Sequence, residues 1–334
     1  MRARDRLRRF FTAAAASSVI ALAVLVGAFA AQIDRPTREG AGRCAFVKTK
    51  VEIAAAQPGR RLVVIGGSGV HWGVNAERLG ARYGYAGVNF GTFASLGADI
   101  ILWEARRALR RGDVALLALE YDVLSQPGAS RQSVDFALSC GRDWLAAQDP
   151  LRQARLAVGS DPLRLTALRA APETYVMPPQ ARRFSAHGDP YLDARSFRPI
   201  PPEVARRVDL YRPLSIPARG TPETERALIA FRAWAAANGV RVLVTWPNTI
   251  AFDAYARTAN FAALEAWYRD LGFTVIGAPS IGLLERRYFS DTMYHLTAEG
   301  VTLRTARLES ALDPVLAAGS SPVAPGSLPT PSHP

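Results

Sequence analysis

The sequence predicts an α/β protein whose parallel sheet follows an N-terminal membrane-associated helix. Short apolar runs alternate with longer amphipathic runs from Arg61 onward, as in strands joined by crossover helices. Residues 11–31 carry no charged side chain, which is typical of a membrane-spanning or signal segment. The chain has 334 residues, of which 49% are hydrophobic, so it can bury a large core.

Residues 1–31 predict a membrane anchor. Residues 1–10 hold five arginines and one aspartate, so the positive-inside rule keeps them in the cytoplasm and places the rest of the chain outside. About 20 apolar residues are enough to cross a bilayer as a helix. The tripeptide Ala28-Phe29-Ala30 also fits a cleavage site, so secretion after signal cleavage is the alternative. We prefer the uncleaved anchor, because the apolar run exceeds the roughly 7–15 residues of an ordinary signal core.

Five apolar runs are predicted strands, and the runs between and after them have helical character. The predicted strands are Leu62–Ile65, Ala86–Phe90, Asp113–Leu119, Val240–Trp246 and Phe273–Ile276. The predicted helices are Val70–Leu79, Ser95–Arg110, Thr221–Asn238, Phe252–Leu271 and Leu296–Leu312. Thr221 is a predicted N-cap with Pro222 in the first turn, and the last helix is predicted to start at Thr297.

The other segments lack a clear strand or helix pattern. Residues 32–60 are predicted to be a connector rich in small and charged residues, leading into an α/β domain over residues 61–315. Within that domain, residues 125–217 are predicted to be an insertion of helices and loops, because prolines and short apolar patches interrupt the pattern. Residues 316–334 are rich in Pro, Ser and Gly and are predicted to be a disordered tail.

Cys44 and Cys140 are the only cysteines. An even number in an exported protein is compatible with one disulfide, which here would join the segment after the anchor to the domain. Two unrelated buried thiols are the alternative. The spacing of the two residues has no metal-site character.

The charge and motif content argue against several classes of function. The net charge is +12, and nearly all cations are arginines, since Lys48 and Lys50 are the only lysines. These arginines are scattered and are not interleaved with aromatic residues in a nucleic-acid motif, so we expect no nucleic-acid partner. The sequence has no phosphate loop, dinucleotide fingerprint or metal-ligand cluster, and we predict neither a cofactor nor a metal.

The residues with the clearest chemical meaning are a serine and a distant Asp/His pair. Ser68 follows Gly66-Gly67, where the first strand turns into a helix, and sites in open parallel sheets lie at the carboxyl ends of strands. Asp291 and His295 precede the last helix in the run DTMYHLTAEG. A serine, a histidine base and an orienting acid are the parts of a nucleophilic hydrolase or acyltransferase.

Three sequence blocks together resemble the SGNH (GDSL-like) hydrolases: GGS after the first strand, VNFGTFASLG around the second, and DTMYHLTAEG. The resemblance covers about residues 62–312 and is greatest to membrane-anchored bacterial members that modify cell-envelope polymers, such as the alginate-acetylation proteins and the D-alanine transfer protein of teichoic acids. It implies a three-layer α/β/α sandwich with a small parallel sheet. It also implies that Ser68 is the nucleophile, His295 the general base and Asp291 its orienting acid.

The resemblance also implies an oxyanion hole, from which this chain departs. Gly67 should help backbone N–H groups approach the substrate, and the second block normally adds a glycine N–H, for which the candidates are Ala94 and Gly91 near Asn89. The third block normally supplies an asparagine, but this chain has Leu119-Glu120-Tyr121-Asp122, so Tyr121 is a candidate replacement. The Asp291-to-His295 spacing is one residue longer than the family's Asp-x-x-His.

By this resemblance the chain is a serine esterase or O-acyltransferase that acts on acyl groups, above all acetyl, of an envelope polysaccharide or exopolysaccharide. It would be anchored once in the bacterial inner membrane with its domain in the periplasm. Its partners would be an acylated carbohydrate and a membrane-bound acyl donor protein. Two alternatives are a catalytically weak SGNH-like domain that binds polysaccharide or scaffolds a membrane complex, and a basic protein that acts at the membrane surface by charge alone.

Overall fold

The structure is a computed structural model, and it describes residues 2–161, 164, 184–190 and 202–317. The predictions for the rest of the 125–217 insertion and for the tail beyond residue 317 lie outside the described residues. The predicted α/β class is confirmed by a five-stranded parallel sheet.

The sheet has the strand order β2-β1-β3-β4-β6, and every neighbouring pair is parallel. Its strands are β1 (Arg61–Gly66), β2 (Ala86–Gly91), β3 (Val114–Leu117), β4 (Arg241–Thr245) and β6 (Thr274–Ile276), and a separate two-stranded sheet pairs β5 (Thr249–Ile250) with β7 (Leu283–Leu284). All five predicted strands are therefore present. Every residue of β1 is buried, as expected for a central strand with two neighbours.

The described residues form thirteen α-helices. They are α1 (Arg2–Ala30), α2 (Arg38–Ala56), α3 (Ser68–His71), α4 (Ala76–Ala81), α5 (Gly97–Ala108), α6 (Tyr121–Ser125), α7 (Arg131–Cys140), α8 (Arg142–Ala146), α9 (Pro150–Gly159), α10 (Pro202–Leu210), α11 (Pro222–Ala237), α12 (Asn260–Asp270) and α13 (Ala298–Leu316). Both α4 and α5 pack against β1, and α5 also packs against α11.

The helix starts agree with the sequence where a capping residue is present. Thr221 accepts a hydrogen bond from the N–H of Thr224, and Thr297 accepts one from the N–H of Gly300, so both are N-caps. Two helix predictions are wrong in detail: the single helix expected over 70–79 is two short helices, α3 and α4, and the helix expected over 252–271 is a 3-10 turn, Asp253–Arg257, followed by α12. Asn75 ends the break between them by accepting from the N–H of Arg78 and capping α4.

Most of the predicted connector over 32–60 is a helix, α2, which its sequence pattern does not indicate. Its sequence has weak amphipathic character, yet it buries Phe46, Val47 and Lys50. Small residues make this packing possible, because a Cβ on Gly40 would lie 2.2 Å from the Oγ of Ser139 on α7. Small-residue contact is difficult to recognise from hydrophobic periodicity, which explains why the sequence pattern does not indicate this helix.

Cys44 on α2 and Cys140 at the end of α7 form a disulfide across 96 positions of sequence. The alternative of two unrelated thiols is therefore wrong. The bond ties the helix that follows α1 to the inserted helices.

α1 contains one stretch, Ala3–Ala30, that is long and apolar enough to cross a membrane, and its most apolar window is not buried in the protein. This finding is compatible with a single membrane span or with a signal sequence. Every described side chain of α1 is exposed except those of Ala28 and Phe29. Phe29 and the following Ile33 pack against the hydrophobic core of the domain.

The disulfide predicts a measurable loss of stability on reduction. A disulfide typically stabilises a protein by about 2–4 kcal/mol, with more expected for longer loops, in part by restricting the unfolded chain. We expect the Cys44→Ser/Cys140→Ser double variant to unfold at lower denaturant concentration than the wild type, and dithiothreitol to affect only the wild type. Denaturant unfolding of the full chain in detergent measures both effects. Equal midpoints for the oxidised wild type and the double variant would contradict this prediction.

Candidate active site

Ser68 lies at the carboxyl edge of the sheet, directly after β1 and Gly67, as the first residue of α3. Its side chain is half-buried. The turn before it needs glycine because other groups approach so closely. A Cβ on Gly67 would lie 2.6 Å from Oε1 of Glu120 and 2.7 Å from the backbone nitrogen of Ala94. The residue type at position 67 therefore sets how closely two other loops approach Ser68.

Glu120 holds the turn from the other side. It follows β3, is completely buried, and accepts hydrogen bonds from the N–H of Gly67 (2.9 Å) and from the N–H of Gly69 (2.6 Å). Burial raises the pKa of the Glu120 carboxyl, although these N–H groups and the nearby His295 act in the opposite direction. The two hydrogen bonds bracket Ser68 and fix the backbone on both sides of it.

Among the backbone N–H groups near this turn, those of Ser68 and Ala94 have no hydrogen-bond partner in the part of the chain that the structure describes. Ala94 begins a short 3-10 turn, Ala94–Leu96, so its N–H has no acceptor in the preceding turn. Preorganised N–H groups of this kind are the usual donors of an oxyanion hole. Of the residues expected to bind substrate, Ala94 is thus in a suitable place.

The other candidates have different roles. The N–H of Gly67 is bound to Glu120, and the N–H of Gly91 donates to Oδ1 of Asn89 at 2.9 Å, so neither is available to an oxyanion. The structure also does not support Tyr121 as the replacement donor. Its hydroxyl is buried without a partner among the described residues, and its ring contacts that of Phe261.

Asn89 makes several buried hydrogen bonds beside the site. It is completely buried on β2, and its amide nitrogen donates to the carbonyl oxygens of Val70 and His71, each at 3.2 Å, and to Oδ1 of Asp189 at 3.0 Å. It therefore fixes the end of α3, the helix that begins with Ser68.

His295 and Asp291 form a hydrogen-bonded pair, with 2.9 Å between Nδ1 and Oδ1. The loop accommodates the longer Asp-x-x-x-His spacing because the hydroxyl of Thr292 accepts from the N–H of His295 and the N–H of Ser290 donates to the carbonyl oxygen of His295. Burial alone would raise the pKa of the Asp291 carboxyl. Hydrogen bonds from His295 and Ser290, with the nearby histidine, outweigh that effect and hold the pKa below its usual value.

The loop with His295 is attached to the end of α3. The N–H of Leu296 donates to the carbonyl oxygen of Trp72 at 3.2 Å, and the rings of Trp72 and His295 are 6.1 Å apart. Asn248, after β4, donates to the carbonyl oxygen of Tyr294 and secures the loop from a second direction. Ser68 and Trp72 are four positions apart, so they share one face of the helical turn. No hydrogen bond joins Ser68 to His295 among the described residues, and such bonds often tighten only in the substrate complex.

Behind α3 lies a buried lysine that the sequence reading did not connect with the site. Lys50 of α2 has no exposed surface, and its Nζ is 3.1 Å from Nδ1 of His71, 2.9 Å from the carbonyl oxygen of Asn89 and 2.5 Å from that of Gly188. Burial lowers the pKa of Lys50 to about 7, against the opposing attraction of Asp189. Lys50 therefore joins α2 to the helix of Ser68.

His71 is a buried neighbour of the site. Its ring packs edge-on to those of Phe46 and Trp72. Burial, together with repulsion from the nearby Lys50 and His295 when these are protonated, holds the pKa of His71 well below its usual value. A neutral His71 can accept a hydrogen bond from Lys50 at Nδ1, which suits a role in positioning α3.

Glu120 and Lys50, which the sequence analysis does not assign to the site, each have a recognisable signal in the sequence. Glu120 follows a central strand at its carboxyl end, where site residues are expected. Lys50 is one of two lysines in a chain that otherwise uses arginine, and a lysine retained in such a background is a candidate for a specific role. Among the described residues, no group of three or more His, Cys, Asp or Glu side chains is arranged to hold a metal ion.

Comparison with known proteins adds no relative: no protein-family model, curated protein or solved structure matches this chain. The relation to the SGNH hydrolases therefore stays a prediction from the sequence blocks.

Gly67→Ala tests the close approach at the nucleophile turn. The added Cβ would press on Glu120 and on the backbone of Ala94, so we expect a loss of roughly 1–3 kcal/mol in the free energy of unfolding. Gly159→Ala is the matched control, because a Cβ there meets nothing within 4 Å. Chemical denaturation of the full chain compares the two variants. Equal stability of the two would show that the turn is looser than described.

Lys50→Met tests the buried lysine through pH. Between about pH 7 and 10.5 the unfolded chain keeps a proton on Lys50 that the folded chain has lost, so folding stability rises with pH in this window. The stability of the wild type relative to Lys50→Met should therefore increase by about 2 kcal/mol from pH 7 to pH 9. Lys48→Met is the control, since that side chain is 73% exposed. If the folding stability of Lys50→Met and of Lys48→Met changes with pH in the same way as that of the wild type, the pKa of Lys50 is not lowered in the folded chain.

Proposed function

We propose that this protein is a serine esterase or O-acyltransferase of the SGNH type, acting outside the cytoplasm on acyl groups, above all acetyl, of an envelope polysaccharide or exopolysaccharide. The observation that carries the proposal is the hydrogen-bonded Asp291–His295 pair, attached by Leu296 to the helix that Ser68 begins. The order of the parallel strands is compatible with the three-layer α/β/α sandwich of that family, and so is the packing of α4 and α5 against β1.

In this mechanism Ser68 is the nucleophile. Its Oγ attacks the carbonyl carbon of the acyl ester while His295 takes the hydroxyl proton at Nε2, and Asp291 holds the opposite nitrogen, Nδ1. The negative charge that forms on the carbonyl oxygen is stabilised by the free N–H groups of Ser68 and Ala94. The ester C–O bond then breaks, and His295 returns the proton to the departing alcohol.

The resulting acyl-serine can react in two ways. Water attacks it in an esterase, and a sugar hydroxyl attacks it in a transferase, with His295 again as the base. In the transferase, a membrane-bound acyl donor protein would load Ser68 and the polysaccharide would unload it.

The N-terminus supports the proposed location. The five arginines in the first part of α1, before its apolar run, favour a cytoplasmic start, and the domain would then lie in the periplasm of a bacterium with α1 in its inner membrane. Retention of the anchor is supported by the packing of Phe29 against the core, since cleavage after Ala30 would remove that contact.

A second candidate function is a polysaccharide-binding or scaffolding domain with weak catalysis. It is favoured by two observations: no hydrogen bond joins Ser68 to His295 among the described residues, and a buried carboxyl, Glu120, lies beside the oxyanion donors. An ionised Glu120 would oppose a developing oxyanion by charge repulsion.

The enzymatic proposal predicts acyl-ester hydrolysis that depends on the pair and the serine. With an aryl acetate, Ser68→Ala should reduce the rate on the order of 10³-fold or more, and Asp291→Asn on the order of 10²–10⁴-fold. Ser310→Ala is the control, because Ser310 is exposed and bonds only to a carbonyl of its own helix. Rates are measured on the full chain in detergent, and mass spectrometry detects the acyl-serine.

The same assay separates the candidates. If wild type and Ser68→Ala give equal rates and no acyl-serine is trapped, the catalytic proposal fails and the binding function gains. Addition of a polysaccharide acceptor distinguishes a transferase, in which acyl groups appear on the sugar, from an esterase, in which only free acid forms.

A further inference from the structure

α9 presents an apolar stripe to solvent. Its outward face consists of Leu151, Ala154, Arg155 and Val158, which follow the i, i+3, i+4, i+7 spacing of one helix face. Leu151 is 62% exposed and Val158 is 73% exposed. The opposite face already buries Leu156 and Ala157 in the domain, so the outward apolar side chains are not needed for the core.

This helix lies beside the end of α1. The two helices are in contact, and Ala28 and Phe29 are the only described side chains of α1 that are not exposed, so the contact is at its C-terminal end. Arg164, five positions beyond α9, strengthens the connection. Its guanidinium donates to the carbonyl oxygens of Gln32 (3.2 Å) and Arg35 (2.8 Å), just after α1.

The domain begins without a linker after the apolar helix. Gln32 is 2% exposed, and Ile33 packs against the core directly after it. At about 1.5 Å of rise per residue, the uncharged run of residues 11–31 is about as long as the 30 Å hydrocarbon thickness of a bilayer. When α1 spans the membrane, the side of the domain next to its end therefore lies at the head groups.

We infer that the outward face of α9 is a membrane-contact surface, which inserts Leu151 and Val158 into the interface of the bilayer that α1 spans. Helices with an apolar face bind in this way at the boundary between head groups and acyl chains. Arg155, between the two apolar positions, extends its charged end to anionic head groups while its stem stays with the lipid. The occupant is lipid because α9 adjoins the end of a membrane-spanning helix and no linker separates the domain from the bilayer. The inference rests on α1 as a retained span and does not depend on the chemistry of Ser68.

The test is photocrosslinking of the full chain in vesicles. A p-benzoylphenylalanine is placed at Val158, and mass spectrometry measures its lipid adducts after illumination in phosphatidylcholine vesicles with and without phosphatidylglycerol. The matched control is the same probe at Ile229, which is 48% exposed on α11, a helix that packs against α5 and β4. We expect a severalfold larger lipid adduct at position 158 than at position 229.

The contribution of the Arg155 charge is tested separately. Phosphatidylglycerol should increase the adduct at position 158, and Arg155→Gln should remove this increase without reducing the adduct in phosphatidylcholine. Equal lipid adducts at positions 158 and 229 would overturn the inference. Adducts at position 158 to a second protein chain in place of lipid would overturn it as well, and would identify this face as a protein interface.

Discussion

The bidentate contact of Glu120 with the turn around Ser68 is the interaction on which the rest of the site depends. One carboxyl group, carried by the end of β3, binds the N–H groups of Gly67 and Gly69 at the end of β1. Breaking this contact would leave a buried acceptor without donors, or donors without an acceptor, at a cost of about 1–3 kcal/mol for each group. The two loops therefore hold each other in one arrangement. The position of the free N–H group of Ser68, between Gly67 and Gly69, follows from that arrangement.

The sheet and the Asp291–His295 pair were predictable because their signals are local. Buried parallel strands are continuous apolar runs, and a capped helix start is readable at Thr221 or Thr297. The structure of the 62–65 and 86–90 runs agrees with this reading within one residue at each end. The hydrogen bond between Asp291 and His295 joins residues of one short loop, so proximity in sequence was sufficient.

The rest of the site depends on contacts across long stretches of chain, which spacing does not reveal. Glu120 is more than fifty positions from the turn that it holds, and Lys50 reaches Gly188 across 138 positions. Tyr121, in the block that lacks the family's asparagine, was the candidate replacement donor. The two side chains point in different directions. At the start of α6 the tyrosine packs into the core, while the preceding glutamate binds the turn around Ser68. The helical nature of α2 was missed because its packing uses Gly40 and other small residues.

α2 has a consequence for which molecules can be substrates. It begins a few residues after α1, is held by Cys44, and contacts the helix of Ser68 through Lys50. From Arg38 to Lys50 the helix rises about 18 Å, at 1.5 Å per residue. If α1 is retained as a membrane span, no flexible stalk separates the bilayer from the domain, and the proposed nucleophile would lie at a fixed distance from the membrane. Polymers would then be chosen by the distance from the bilayer at which they pass, as well as by the groups that they carry.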